Sequence, residues 1–216
     1  MTCLLIAATL PEITPFIEQY RMNRSWPATN NIDILITGVG LTATTYSLTR
    51  QLQTKRPDMI IQAGVGGCFN TTIRLGSVFA IKQEAIADQG VIESDKLKTL
   101  FDLKLMQSNQ HPFSNGWLVN KSDLLKKSKL QKVKGFSVNE ITTSKQKIKR
   151  YKKAFEPVVE SMEGAALHYV CLMEKISFLQ IRSVSNYVGE RNKKNWKLKE
   201  SITNLNNELI SLLQKL

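Results

Sequence analysis

"IDILITGVGLTATTYSLTRQLQTKRPDMIIQAGVGG", residues 32–67, reads as a strand, a tight turn, a helix and a second strand. The runs 32–38 and 58–64 are apolar and rich in isoleucine, as buried strands are. Between them, 41–55 carries helical spacing. Gly38 and Gly40 let strand turn into helix within a few residues. A strand–helix–strand unit of this kind builds a parallel sheet covered by helices.

The same alternation extends in both directions. "CLLIAAT" (3–9), "SVFAIKQEAIA" (77–87), "KGFSVN" (134–139), "PVVES" (157–161) and "ISFLQIRSVS" (176–185) read as further strands. "GAALHYVCLMEK" (164–175) and 194–216 read as helices, the last with Trp196, Leu198, Ile202, Leu205, Leu209 and Leu212 on one stripe. The expectation is an α/β protein with a mixed, mainly parallel central sheet flanked by helices on both faces. Residues 1–216 form one domain, with no internal repeat and no linker. Segment 88–132 has mixed polarity and no clear pattern.

Composition narrows the function classes. The 216 residues are 42% hydrophobic, ordinary for a globular protein. No apolar run approaches the roughly 20 residues that span a bilayer. The apolar N-terminus has no basic start and is cut by Pro11-Glu12, so it reads as a strand and not as a signal peptide. Cys3, Cys68 and Cys171 are scattered and odd in number, which points to free thiols in a reducing cytoplasm. Two histidines, His111 and His168, rule out a His-rich metal site. His168 is expected to be structural or exposed.

The net charge is +12, much of it in the lysine runs of 121–153. No aromatics interleave with the first run, and no helix-turn-helix, RNA-recognition or zinc-finger pattern is present. These runs read as solvated helix faces, with no nucleic-acid partner and no membrane contact.

Polar residues gather where the strands end, which is where sheets of this type bind ligands. Glu12 follows the first strand. "QAGVGGCFN" (62–70) reads as a glycine-rich turn able to present backbone N–H groups. In "VVESMEGAALHYVC" (158–171), Glu160 and Glu163 stand where an apolar strand meets an apolar helix. A carboxylate there costs several kcal/mol unless something pairs with it. Asn186 closes the final strand. Each residue alone suits a cap or turn; at four strand ends they read as one site built from several loops. "GVGLTA" (38–43) loosely fits a dinucleotide-binding turn, but it follows the second strand, and Asp58 opens a strand where a ribose-binding acid should close one.

These motifs resemble the nucleoside phosphorylase/nucleosidase family, and within it the methylthioadenosine/S-adenosylhomocysteine nucleosidase branch. "GVGL" resembles its "GxGK" turn, "AGVGGC" (63–68) its glycine turn and "LGSV" (75–78) a "VGD"-type strand start. "VESMEGAALHYVC" resembles "VEMEGAA…VC", and "RSVSN" (182–186) resembles "RAISD". The matches run from residue 1 to about 190. The departures are specific. Ser161 is inserted before Met162-Glu163, Val65 replaces a serine, and "VNEITTS" (138–144) replaces "SGD.FI". Asn186 replaces the aspartate that handles the purine. These departures look like the futalosine hydrolase subgroup.

The resemblance implies a nucleoside phosphorylase-like fold and an N-ribosyl hydrolase. Its substrate would be futalosine, an inosine-like nucleoside carrying a benzoate, cleaved to hypoxanthine and dehypoxanthine futalosine in the alternative menaquinone pathway. Glu12 would activate water, Glu163 would hold the ribose hydroxyls, and Met162 would pack on the sugar. Glu160 would lie outside the site. Asn186 would read a 6-oxopurine. Val65, Gly66, Arg182, Thr142 and Thr143 would bind substrate, and Arg191, Lys193 or Lys194 would meet the benzoate. No metal or organic cofactor is implied; a homodimer or higher homo-oligomer is. An adenine-releasing nucleosidase is disfavoured by Asn186. A phosphorylase would need arginines on phosphate, and Arg74 is the nearest to a glycine turn.

Overall fold

The computed structural model describes residues 2–22 and 31–215. The first half of the chain runs β1 (Thr2–Ala7), α1 (Leu10–Met22), β2 (Asn31–Ile36), α2 (Leu41–Thr54), β3 (Met59–Cys68) and β4 (Val78–Glu84). Two hairpins follow, β5 (Gly90–Glu93) with β6 (Lys96–Thr99) and β7 (Phe113–Ser114) with β8 (Trp117–Val119). The second half runs α3 (Asp123–Lys127), β9 (Lys132–Ser137), α4 (Lys145–Phe155), β10 (Val159–Ser161), α5 (Gly164–Met173), β11 (Ser177–Tyr187) and α6 (Leu198–Leu213).

The expected α/β sheet is present, and β1 shows why both its faces are covered. Cys3, Leu5 and Ala7 pack with Ile13 and Phe16 of α1 and Leu205 and Leu209 of α6. Leu4 and Ile6 point the other way, onto Leu48 and Leu52 of α2 and Leu167 and Val170 of α5. A strand with helices on both sides has no polar face, so its sequence is continuously apolar.

The sheet closes on itself in part, which the sequence did not reveal. β3 pairs in parallel with β11 along its whole length. On its other edge, Met59–Gln62 pair with β1, while Gly67 and Cys68 pair antiparallel with β10. β11 pairs antiparallel with β4, β4 in parallel with β9, and β9 in parallel with β10. The five strands β3, β11, β4, β9 and β10 therefore form a ring. Each gives an apolar side chain to one cluster: Cys68, Val184, Phe79 and Ile81, Val133, and Val159.

Residues 62–70 are thus mostly strand, not the glycine turn expected. Gly64, Gly66 and Gly67 are not in the left-handed region. They are needed because other groups come close. A Cβ on Gly64 would overlap Arg182 Nη1 and stand 3.0 Å from Glu12 Oε1; one on Gly66 would stand 2.8 Å from the Glu160 carbonyl oxygen. The turn glycines are Gly38 and Gly40, with φ of 82° and 96°. Asp58 ties the start of β3 to β1, accepting the Thr2 N–H at 2.6 Å.

Three local readings change. Helix α1 was hidden by Pro11 and Pro15, although Thr9-x-x-Glu12 is a capping box: Glu12 Oε2 accepts the Thr9 N–H at 2.9 Å. Helix α6 begins at Leu198, so Trp196 precedes it and only Leu205, Leu209 and Leu212 of the expected stripe are buried in the core; Leu216 lies outside the described residues. Segment 88–132 was unreadable because its strands are short and pair mainly with each other, β5 being exposed throughout.

Candidate active site

Along one edge of β3, the pairing with β1 ends at Gln62 and that with β10 begins at Gly67. In the gap, Val65 turns its backbone to side chains. Its N–H donates to Glu12 Oε1 at 3.0 Å, and its carbonyl accepts from Arg182 Nη1 at 3.3 Å. The chain leaving β1 delivers Glu12 to this gap, and the chain leaving β10 delivers Met162 and Glu163. A sheet that divides in this way leaves a crevice at its strands' carboxyl ends. Here the crevice is a pocket of about 320 Å³.

Glu12, Val65, Gly66, Met162, Glu163, Asn186 and Arg191 all line this pocket. They come from five separate stretches of chain. A larger hollow of about 550 Å³ lies between β6, β8 and α4, but its one carboxylate, Asp102, already accepts the Thr99 N–H and hydroxyl.

Glu12 is buried, and its carboxylate is fixed on both oxygens. Oε2 accepts the Thr9 N–H at 2.9 Å and the Thr9 hydroxyl at 3.0 Å. Oε1 accepts only the Val65 N–H among the described residues, which leaves a lone pair for a water or hydroxyl. Glu163 is also buried. Its Oε1 accepts the Gly40 N–H at the start of α2 at 3.1 Å, and its Oε2 accepts from Arg182 Nη2 at 3.2 Å. The positive end of the α2 dipole and a guanidinium together stabilise a carboxylate that is almost fully buried.

Asn186 sits where β11 bulges, between Val184 and its own pairing with Gly67. Its Oδ1 accepts from Ser185 Oγ at 3.0 Å, and its Nδ2 donates to the Tyr187 carbonyl at 3.1 Å. Among the described residues, one amide hydrogen and one lone pair remain without a partner. Arg191 lies over the Trp196 ring at 5.6 Å, and both border the pocket.

Five of the candidate residues do not line the pocket. Arg182 is 1% exposed and lies behind it, with Nη2 also donating to Gln62 Oε1 at 3.0 Å. Thr142 is buried, Thr143 is exposed, and their neighbour Ile141 reaches the pocket instead. Side-chain direction in a loop follows its contacts. Here Glu160 Oε1 accepts the Thr142 N–H at 3.2 Å and holds the loop from within. Glu160 was expected outside the site, yet it borders the pocket wall. Burial raises its carboxyl above the usual range, and the Thr142 contacts oppose that rise. Lys193 and Lys194 are exposed and do not line the pocket.

Sequence reasoning missed Thr9, Val39, Ile141, Ser185 and Trp196, which also line it. Thr9 was findable from its capping box, and Ile141 as an apolar residue in a polar loop. His168 is fully buried, its Nδ1 2.9 Å from the Leu118 carbonyl. Among the described residues, no group of three or more His, Cys, Asp and Glu is placed to hold a metal ion. The three cysteines are free and buried.

The site can therefore hold a sugar hydroxyl on one buried carboxylate and a water on another. The family model of the phosphorylase superfamily matches residues 8–216. No curated protein sequence matches the chain. Solved structures that resemble it include a 5'-methylthioadenosine/S-adenosylhomocysteine nucleosidase from Helicobacter pylori, crystallised with butyl-thio-DADMe-Immucillin-A. Its TM-score is 0.83 at 17% identity, covering 100% of this chain and 99% of that one. Futalosine hydrolase of Helicobacter pylori strain 26695 has a TM-score of 0.82 at 16% identity, covering 100% and 98%. The Colwellia psychrerythraea nucleosidase in complex with adenine has a TM-score of 0.80 at 18% identity, covering 100% and 96%. At these identities the likeness establishes the nucleoside phosphorylase/nucleosidase fold.

Proposed function

We propose a function from one premise: the chain belongs to the phosphorylase superfamily. The reaction is hydrolysis of the N-ribosyl bond of futalosine, giving hypoxanthine and dehypoxanthine futalosine in the alternative menaquinone pathway. Glu163 holds the ribose hydroxyls, and Met162 packs on the sugar. Water lies on Glu12 Oε1, gives that oxygen a proton and attacks the anomeric carbon as the bond to the purine nitrogen breaks. The leaving purine takes its N7 proton from water, since an asparagine cannot supply one.

Asn186 is the observation that carries the substrate choice. Its free amide hydrogen suits the 6-oxo group of hypoxanthine, and its free lone pair suits a protonated N7. Adenine would set its 6-amino donors against that amide hydrogen, a mismatch of about 1–3 kcal/mol. Arg191 over Trp196 suits an aromatic carboxylate such as the benzoate. Water is favoured over phosphate because both terminal nitrogens of Arg182 are engaged by protein oxygens, Arg74 pairs with Glu200 away from the pocket, and Arg191, over the Trp196 ring, is the one arginine among the described residues that lines it.

Base release by the purified protein tests this, with futalosine, inosine and methylthioadenosine as substrates, each with and without phosphate. Hypoxanthine from futalosine at a phosphate-independent rate is expected. Adenine from methylthioadenosine, a requirement for phosphate, or no base at all would each overturn it.

The partner implied is a second copy of the chain. Leu10, Val39 and Tyr46 are large apolar side chains 53%, 55% and 66% exposed, and Val39 also borders the pocket. Sedimentation should give a dimer or a higher homo-oligomer; a monomer at micromolar concentration would refute the pairing. A cytoplasmic setting is supported by the three free thiols. Among the described residues, no helix is long and apolar enough to cross a membrane.

A further inference from the structure

Glu84 ends β4 in full burial and has no part in the chemistry above. Its Oε1 is 2.9 Å from Gln180 Nε2, and its Oε2 accepts from Ser137 Oγ at 3.3 Å. Ser137 Oγ accepts the Ala165 N–H at 2.9 Å and lies 3.2 Å from Ser161 Oγ, which accepts the Gly164 N–H at 3.2 Å. Glu84 thus reaches, through two serines, the first turn of α5, directly after Glu163. It also touches that turn, because a Cβ on Gly164 would overlap Glu84 Oε1.

On the far side, Gln180 neighbours the His168 ring. Among the described residues, two atoms there have no hydrogen-bond partner, Gln180 Oε1 and His168 Nε2. His168 donates Nδ1–H to the Leu118 carbonyl, so in the neutral ring that burial favours Nε2 is an acceptor, as is the Gln180 oxygen. Turning the Gln180 amide over, a choice its shape does not decide, sets its NH₂ on His168 Nε2. Its oxygen then faces Glu84 Oε1, which satisfies both atoms only if Glu84 carries a proton. With that one proton, an unbroken line runs from Gly164 through Ser161, Ser137, Glu84, Gln180 and His168 to Leu118.

We propose that Glu84 acts as a neutral acid, linked to a neutral His168 through the Gln180 amide, and so positions the first turn of α5 beneath Glu163. Electrostatics agree. The charged and titratable groups facing Glu84 are Arg182 on β11, Glu163 at the head of α5 and, beyond Gln180, His168. An ionised Glu84 would compete with Glu163 for the Arg182 charge and repel Glu163. Burial raises the Glu84 carboxyl to about 7 and lowers His168 to about 4.

This rests on the proposed function only where activity is read. The first test needs none: hydrogen–deuterium exchange of peptides covering 161–167 in the substrate-free protein from pH 6.5 to 8.5, corrected for intrinsic exchange. Protection in the wild type should fall at least fivefold as Glu84 loses its proton. Glu84→Gln, a permanently neutral mimic, should hold protection constant. Equal pH profiles in the two proteins, or a loosened turn in Glu84→Gln at every pH, would overturn the proposal whether or not futalosine is a substrate. The second test is futalosine hydrolysis. KM should rise about tenfold across that range in the wild type, with kcat changed less than threefold, and the rise should be absent in Glu84→Gln. A flat wild-type KM, with hydrolysis present, would refute the positioning role. No hydrolysis alongside the exchange difference would count against futalosine and leave the neutral acid standing.

Discussion

Arg182 donates to Glu163 at 3.2 Å across an ion pair whose side chains are 1% and 6% exposed. Arg182 comes from the middle of β11 and Glu163 from the head of α5. Both side chains are almost fully buried, so the pair orients the carboxylate that would meet the sugar. Removing one partner strands the other's charge.

Arg182→Met should therefore destabilise the fold by about 3–5 kcal/mol, the usual cost of an orphaned buried charge. Urea denaturation with the wild type alongside measures it. A loss below about 1 kcal/mol would mean that Glu163 does not depend on Arg182.

Glu12→Gln should lower kcat by about 10²–10⁴, the range for a lost general base. Stability should barely change, because glutamine also serves in a capping box. Turnover near wild type would remove Glu12 from the mechanism, and a large fall in melting temperature would make its role structural.

Asn186→Asp should slow hypoxanthine release by at least tenfold and raise the relative rate on methylthioadenosine. Competition assays with both nucleosides in one tube read the ratio directly. An unchanged preference would place base recognition elsewhere in the pocket.

Gly64→Ala should cost about 1–3 kcal/mol, typical of overpacking. The added methyl would displace both Arg182 and Glu12, so activity should fall more than stability does. A fully active, fully stable Gly64→Ala protein would contradict the close approach.

Stability near neutral pH should reflect two opposed titrations. The raised Glu84 contributes stability below its unfolded value of 4.5 and loses it as pH rises through about 7. The lowered His168 contributes above 6.5 and loses it as pH falls through about 4. Between pH 7 and 5 the two slopes offset one another. Glu84→Gln removes only the first, so its urea midpoint should fall on acidification more than the wild-type midpoint does. Parallel midpoints would mean that Glu84 titrates normally in the fold.

The chain's local periodicity determined a good deal. Apolar runs separated by helical spacing located β1–β4, β9–β11, α2, α5 and most of α6; β1 and β3, buried on both faces, have few alternatives to a continuous apolar sequence, while β2 is apolar but only partly buried. Glu12, Glu163 and Asn186 were placed at strand ends for the same reason: position along a strand is a local property. What only the tertiary structure decided depends on groups far apart in sequence. Gly64–Gly67 look like a turn until Arg182, Glu12 and the Glu160 carbonyl are seen to crowd them. Ile141 faces the pocket in place of Thr142 because Glu160, beyond helix α4, captures the Thr142 N–H. Arg182 lies behind the site and not in it because Gln62, Val65 and Glu163 surround its guanidinium. Ring closure followed from β3 exchanging β1 for β10 along one edge. Sequence records each residue's preference for a strand, a helix or burial. Which edge pairs with which, and what a buried charge finds there, is settled only when the whole chain has packed.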